Sequence, residues 1–403
     1  MPTPVLTLDL LQTLTLAAVV YYGGVLCRQQ LPVLQRLNIP SAVVGGLLFA
    51  LVVFVCRDRV VNLQLDTAGQ PLLLVAFFTT IGMGASVALL RTGGVGVAVF
   101  LAFATVVCLG QNLLGMAVAA GLGENPLLGV MAGSVTLMGG PATGLAFAPE
   151  FAKAGLAGAD VLAITAAVFG IVCGGLAGGP VGTWLIHRHR LRAMGTGGTA
   201  AASPTATLRE IIVHVEREDT AIVRNLAVLA LAMGVGSVVS RYIQSTGFTL
   251  PAYIGAMIVA SVLRNLDDNT GWLKIDEDAM EFIGGVALNI FLVVALMDLK
   301  IWQLAGQALP LFVILAAQLG FLVVLAIWVS WRLMGRDYDS AVMASGFIGF
   351  AMGTTANAVA NMRTLTTRFG PAPRAFLVVP LVGAFFIDFI NALVITGFIN
   401  WLR

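Results

Sequence analysis

The chain has 403 residues, of which 59% are hydrophobic and only 10% charged, with a net charge of +2. A water-soluble domain covers its surface with roughly a quarter charged residues, so this composition excludes one and requires lipid as solvent. The apolar residues fall in continuous runs of about twenty, enough to cross a hydrocarbon core of ~30 Å, without the alternation of a membrane barrel.

The first run covers residues 5–26, with no positive charge before it and Asp9 as the first charge of the chain. It is longer than the apolar core of a signal peptide, so the sequence predicts a retained span. Further spans are predicted over 41–56, 71–90 and 96–121. Residues 127–148 are only semi-apolar and rich in Gly, Ala, Ser and Thr, and a span over 159–186 follows them. Residues 187–220 are polar and basic, and Gly195 to Thr207 have the composition of a flexible joint. The pattern then recurs, with spans over 222–243, 250–264, 280–299, 308–333 and 374–402 and a second semi-apolar stretch over 340–362.

Cys27, Cys56, Cys108 and Cys173 lie in or beside apolar runs without ligand spacing, and read as small buried hydrophobes. His187, His189 and His214 sit in the polar mid-chain stretch, a solvated basic cluster. No Cys/His/Asp arrangement suits catalysis and no phosphate-binding loop is present, so neither an enzyme nor an ATP-driven pump is expected. Nothing points to nucleic acid.

The halves repeat at an offset of about 210 residues. Val130 to Ser134 (VMAGS) matches Val342 to Gly346 (VMASG), and Gly139 to Gly144 aligns with Gly349 to Thr354. Pro40 and Pro251 each open a short span with a small-residue step, Gly45-Gly46 and Gly255-Ala256, and Gln111 falls opposite Gln318. The expected fold is an all-α polytopic membrane protein of two inverted-topology repeats, each of five transmembrane helices with a re-entrant hairpin. The repeats cover 1–186 and 221–403, with 187–220 as a cytoplasmic linker. With the linker inside and both termini outside, only Arg57, Arg59, Lys153, Arg241, Lys300 and Arg403 of the 22 basic residues fall outside. Counting a semi-apolar stretch as a full span would break that scheme, so 127–148 and 340–362 are predicted to dip in and return.

Non-helical backbone survives at membrane depth only where it lines a cavity or a ligand site. The hairpins therefore supply the candidate substrate contacts: Ser134, Thr136, Gly139, Gly140, Thr143 and Gly144 in the first, Gly353, Thr354, Thr355 and Asn357 in the second. Helix N-termini at their tips would favour a carboxylate, and freed carbonyls and hydroxyls a small cation such as Na⁺. Close helix packing by small residues is the competing reading. Asp388 lies inside the last span, three residues from Asn391 and on the same face, and an intramembrane carboxylate is costly enough to mark an ion or substrate site. Asp298, beside Lys300, reads as interfacial. Gln111, Asn112 and Gln318 either support the hairpins or pair between helices.

These residues resemble the bacterial sodium/glutamate symporter family along nearly the whole chain. The resemblance is carried by Pro40 to Leu48, Ala76 to Gly82, Leu127 to Gly144, Gly353 to Met362 and, most specifically, Arg368 to Ile395 (RFGPAPRAFLVVPLVGAFFIDFINALVI). It implies sodium-driven glutamate uptake across the bacterial inner membrane by a homodimer whose hairpin-bearing domain moves as an elevator. Asp388, Asn391, Asn361 and Gly349 are the residues expected to hold sodium. Pro141 and Ala142 depart from the family pattern, His then Gly, and Asn357 stands where Thr is familiar. A carrier of another di- or tricarboxylate and, more remotely, a channel remain alternatives.

Overall fold

The structure, a computed structural model, describes residues 3–92, 94–193, 208–245, 251–304 and 306–402, so the predicted joint Gly195 to Thr207 lies outside the described residues. The chain opens on strand β1 (Val5–Leu8), which pairs in parallel with β2 (Asn62–Leu65). The first span thus begins later than residue 5. Asp9 caps helix α1 (Leu10–Gln30), accepting the Gln12 N–H at 2.8 Å while the Gln12 side chain takes the Asp9 N–H at 3.1 Å. That reciprocal cap fixes the helix start, and Val5 and Thr7 upstream are β-branched residues that favour the ladder.

Helices α2 (Ser41–Cys56), α3 (Gln70–Gly84) and α4 (Gly94–Gly121) follow. Then come α5 (Pro126–Val130), which widens into a π turn at Met131–Val135, α6 (Gly140–Lys153) and α7 (Ala159–Arg188). The second half contains α8 (Leu208–Ser245), α9 (Ala252–Thr270), α10 (Glu277–Met297) and α11 (Ala308–Leu325). It ends with α12 (Tyr338–Ala351), α13 (Thr355–Phe369), α14 (Pro373–Leu381), a π turn at Val382–Phe386 and α15 (Ile387–Leu402). Pro380 lacks the N–H that a regular α turn would use, and the wide turn begins two residues later. Among the described residues, 6 helices are long and apolar enough to cross a membrane, and four shorter apolar ones, including α2, α3 and α15, accompany them.

The helices pack as two groups. Helices α1, α2, α3, α8, α9 and α10 contact one another, and α4 to α7 with α11 to α15 form the other assembly. Each semi-apolar stretch is a helix pair within the second group. Small residues set the crossings in the first. A side chain at Gly45 would strike the Val20 carbonyl of α1, and one at Gly24 the main chain of Ser41 and Gly45. The same contact recurs between α8 and α9, where Gly236 lies on the Gly255–Ala256 backbone and Gly255 on the Gly236 carbonyl. Gly82 of α3 lies on the Met257 carbonyl of α9, and Gly46 of α2 against Leu296 of α10. These contacts duplicate at the spacing of the sequence repeat.

The predicted span 71–90 also ends early, at Gly84, because α9 grips the chain beyond it. Asn265 donates to the Ala85 carbonyl at 2.9 Å and accepts the Val87 N–H at 2.8 Å, while Ser86 donates to Asp268 at 2.5 Å. Helix α9 runs on to Thr270, past the predicted 264, to make this clamp. Arg264 pairs with Asp268 at 2.9 Å and with Glu277. Asp267 accepts the N–H groups of Leu273, Lys274 and Ile275 at 2.7, 3.0 and 2.8 Å. Burial raises its carboxyl pKa, but those donors and the Arg264 guanidinium outweigh burial and hold it below the usual carboxylate range.

A lowered native pKa contributes stability above the unfolded value of about 4, and loses it as pH falls through the native one. Asp267→Asn is expected to lower the thermal midpoint of detergent-solubilised protein at pH ~7 and to shrink the drop between pH ~5 and ~3. An unchanged acid profile would remove Asp267 from this role.

Candidate functional site

The first helix pair is built around Ser134. Asn125 caps α5, but inside the π turn Gly133 leaves helical geometry, with φ −99° and ψ −132°. A side chain there would meet the Asn112 amide and the Gln111 backbone. The freed Ser134 main chain is held on both sides, its N–H donating to Asn112 Oδ1 and its carbonyl accepting Asn391 Nδ2, each at 2.9 Å. Thr136 donates back to the Met131 carbonyl at 2.7 Å. The chain re-enters helix at Gly140, whose φ of +68° is a conformation glycine adopts without strain, and Pro141 sits in the first turn of α6.

The second pair breaks at Met352–Thr354. Gln111 donates to the carbonyl of Ala351, the last residue of α12, at 3.0 Å, and Gln318 donates to the Gln111 carbonyl at 2.6 Å. Thr354 caps α13, its hydroxyl accepting the Asn357 N–H at 3.4 Å. Asn357 and Asn361 then donate to the Ile171 and Gly174 carbonyls of α7, both at 2.9 Å. Gly170, Gly174, Gly178 and Gly182 line the same face of α7, where side chains would collide with Met352, Ile348, Asn361, Ser345 and Leu365. This stripe and the α7 carbonyls were missed in the sequence reading. The four-residue glycine spacing was the available signal.

The two breaks meet. A Cβ built on Gly140 would lie 3.3 Å from the Gly353 carbonyl and 3.8 Å from Thr354 Cγ2. The N-termini of α6 and α13 therefore converge on one place, where Gly139, Thr354 and Thr355 are half-buried. Ser134, Thr136, Thr143 and Asn357 are buried behind it. Gly139 lies against Thr143, and Gly144 against Thr136. The Val382–Phe386 turn reaches the same tip, since a Cβ on Gly383 would sit 2.9 Å from Thr355 Oγ1.

The four residues expected to hold sodium fall in two places. Asp388 and Asn391 share a face of α15 beside the first pair, with the Asp388 carboxylate in electrostatic reach of Cys108, itself 3.0 Å from Met138 Sδ. Asn361 belongs to the second pair, and Gly349 lets α12 approach the Asn357–Ala358 backbone. No recorded hydrogen bond joins the two groups among the described residues. No group of three or more His, Cys, Asp or Glu side chains suited to a metal ion occurs among those residues either. A cation held here would be met by carbonyls, hydroxyls and amide oxygens with a single carboxylate, a hard and weakly charged donor set. Ser134 Oγ, Asn391 Oδ1, Asn357 Oδ1, Gln111 Oε1, Gln318 Oε1 and Ser345 Oγ are all buried without a hydrogen-bond partner. Unpartnered buried polar atoms are costly, and a bound ion is one way to satisfy them.

At the base of the second pair Arg374 holds the Met334 carbonyl, the Asp337 carboxylate at 3.2 Å and Ser340 Oγ at 3.2 Å. Burial lifts the neighbouring Asp339 carboxyl above its ordinary range, against the pull of the Ala375 N–H and Arg374.

Residues 6–371 match the family model described as "Sodium/glutamate symporter". The chain is 40% identical over 392 residues to the sodium/glutamate symporter of Escherichia coli (strain K12), covering 96% of each. It is likewise 40% identical to that of Shigella flexneri and 37% identical to that of Haemophilus influenzae, with the same coverage.

Gln111→Leu is expected to orphan the Ala351 carbonyl, at a cost of about 1–3 kcal/mol. Thermal unfolding in detergent should show that loss, and Gln111→Asn should fail to restore it because its amide falls one methylene short. A Leu variant as stable as the wild type would mean that the break holds itself.

Proposed function

This chain belongs to the sodium/glutamate symporter family, and from that premise we propose that it imports L-glutamate with Na⁺ through the paired helix breaks. The observation that carries the reading is the meeting of Gly140 with Gly353 and Thr354, which points two helix N-termini at one half-exposed place. Each N-terminus offers free N–H groups and a partial positive charge of about half an electron, and together they suit the carboxylates of an acidic amino acid. Pro141 removes one donor from the α6 side, so α13, capped by Thr354, carries more of the anion contact.

Sodium is assigned to the unpartnered oxygens behind the tips, with Ser134 Oγ and Asn391 Oδ1 at the first break and the Asp388 carboxylate on the Asn391 face of α15. Occupancy there would stiffen the Ser134 backbone and so favour the arrangement in which both tips meet the substrate. Coupling needs only that Na⁺ bind this state more tightly than its alternative.

The two halves are read as inverted-topology repeats, 1–186 and 221–403, and the helix pairs as re-entrant hairpins entering from opposite sides. Both termini then lie outside, and the 187–220 linker in the cytoplasm of a bacterium. The duplicated glycine crossings support the repeat, and the charge distribution supports the orientation. The second helix group is read as the moving body of an elevator and the first as its scaffold in a homodimer, since the first group's packing makes no use of the helix breaks. The discontinuous helices at a repeat interface fit the general design of such carriers.

Labelled glutamate, aspartate and citrate offered to proteoliposomes with and without a sodium gradient test the substrate assignment. Glutamate should accumulate only with the gradient; gradient-driven citrate uptake without glutamate uptake would replace the substrate. Asp388→Asn should reach the membrane normally yet lose most sodium-dependent uptake, and wild-type sodium dependence would remove Asp388 from the coupling site. Cysteines at Lys153 and Arg368, exposed at the far ends of α6 and α13, should react with polar maleimides from opposite faces of the membrane. Labelling of both from one face would sink the inverted arrangement.

A further inference from the structure

Two arginines stand against the charge asymmetry of the chain. Arg57 and Arg59 belong to the few basic residues on the side assigned to the outside, and they occur together in one turn after α2. That turn is built rather than loose. Asp58 adopts φ 56°, its N–H donates to Asn62 Oδ1 at 3.1 Å, and Asn62 Nδ2 returns to Asp58 Oδ1 at 3.1 Å and reaches Thr3 Oγ1 at 2.9 Å. The Arg57 guanidinium lies 3.7 Å over the Trp302 ring, which in turn stacks on Phe54 at 6.5 Å with an interplanar angle of 15°.

These groups enclose a cavity of about 270 Å³ lined by Phe54, Val55, Arg57, Asp58, Arg59 and Trp302. Its charge is not balanced. Asp58 meets only the Nε of Arg57, at 3.3 Å, and it also serves Asn62. No partner is recorded among the described residues for the terminal nitrogens of Arg57 or for Arg59. In the turns of α2 just before Arg57, Leu51, Val52, Phe54 and Val55 are 52%, 58%, 45% and 53% exposed, an apolar face without a partner in the chain.

We propose that this cavity binds the phosphate of an anionic phospholipid, with Arg57 and Arg59 as its ligands, Trp302 as the floor and the acyl chains along the exposed face of α2. A guanidinium fork matches phosphate oxygens, and stacking on an aromatic ring holds the fork in place before the ligand arrives. Arginines and a tryptophan at headgroup depth are what such recognition uses. The apolar row beneath distinguishes a lipid from free phosphate, which would gain nothing from it. The site lies in the first helix group, so the inference does not depend on which substrate is carried.

The test is lipid retention by purified full-length protein in detergent, read by native mass spectrometry after exchange with phosphatidylglycerol or with phosphatidylcholine of the same chains. Wild type should keep phosphatidylglycerol in preference to phosphatidylcholine. Arg57→Gln with Arg59→Gln should reduce that preference roughly 30-fold if each arginine contributes as a surface cation does, and Arg57→Lys with Arg59→Lys should restore part of it. Sodium-driven uptake by the Gln variant, retained at wild-type level, would show that the variant is folded. Equal retention of both lipids by wild type, an unchanged preference in the Gln variant, or displacement by millimolar inorganic phosphate would each overturn the proposal.

Discussion

The structure depends on how broken backbone is satisfied where water is absent. Each interrupted helix frees N–H and C=O groups that would cost several kcal/mol in lipid if left alone. Here amide side chains supply the missing partners. Asn112 and Asn391 close on Ser134, and Gln111 closes on Ala351. Asn357 and Asn361 bond in the other direction, from the second break to the carbonyls of α7. Each amide carries both a donor and an acceptor. Asn391, Gln111, Gln318 and Asn357 give the donor to the backbone and keep an oxygen left over, whereas Asn112 gives its oxygen and keeps its Nδ2. The buried oxygens without a partner are thus a consequence of holding the breaks open, and they are also the atoms a small cation needs.

The partners cross between the halves of the chain. The first break, in the N-terminal half, is held by Asn391 near the C-terminus, and the second by Gln111 and α7 of the N-terminal half. Neither site is complete within its own half. Each helix pair is therefore held in place by helices of the other half. Gly140 and Gly353 are at the junction, and the glycine face of α7 permits the approach that brings α12 and α13 there.

A contrasting economy governs the first helix group. Its crossings rest on glycine and alanine at repeated positions, so backbones pack at contact distance with few polar demands. Polar groups gather at the ends, as in the clamp of Asn265, Asp268 and Ser86 or the turn around Asn62.

Much of this was written in the sequence. Apolar run length placed most of the apolar helices within a few residues, because crossing lipid fixes a minimum length and excludes charge whatever the neighbours are. Among the described residues, six of them are long enough to cross a membrane. The interrupted, small-residue stretches at repeated positions located both breaks, because glycine and proline act on the local backbone. Asp388 and Asn391 stood out because a polar residue in a span is legible without any partner. Only the tertiary structure decided what those residues meet. The start of α1 moved to Leu10 because Asp9 and Gln12 cap each other and Val5–Leu8 pairs with a strand more than fifty residues away. The end of α3 moved to Gly84 because Asn265 and Asp268 of a distant helix take the chain at Ala85 and Ser86. The bonds from Asn391 to Ser134 and from Gln111 to Ala351 join residues hundreds apart, and no local pattern encodes such pairings. They follow from which helices lipid leaves no choice but to pack.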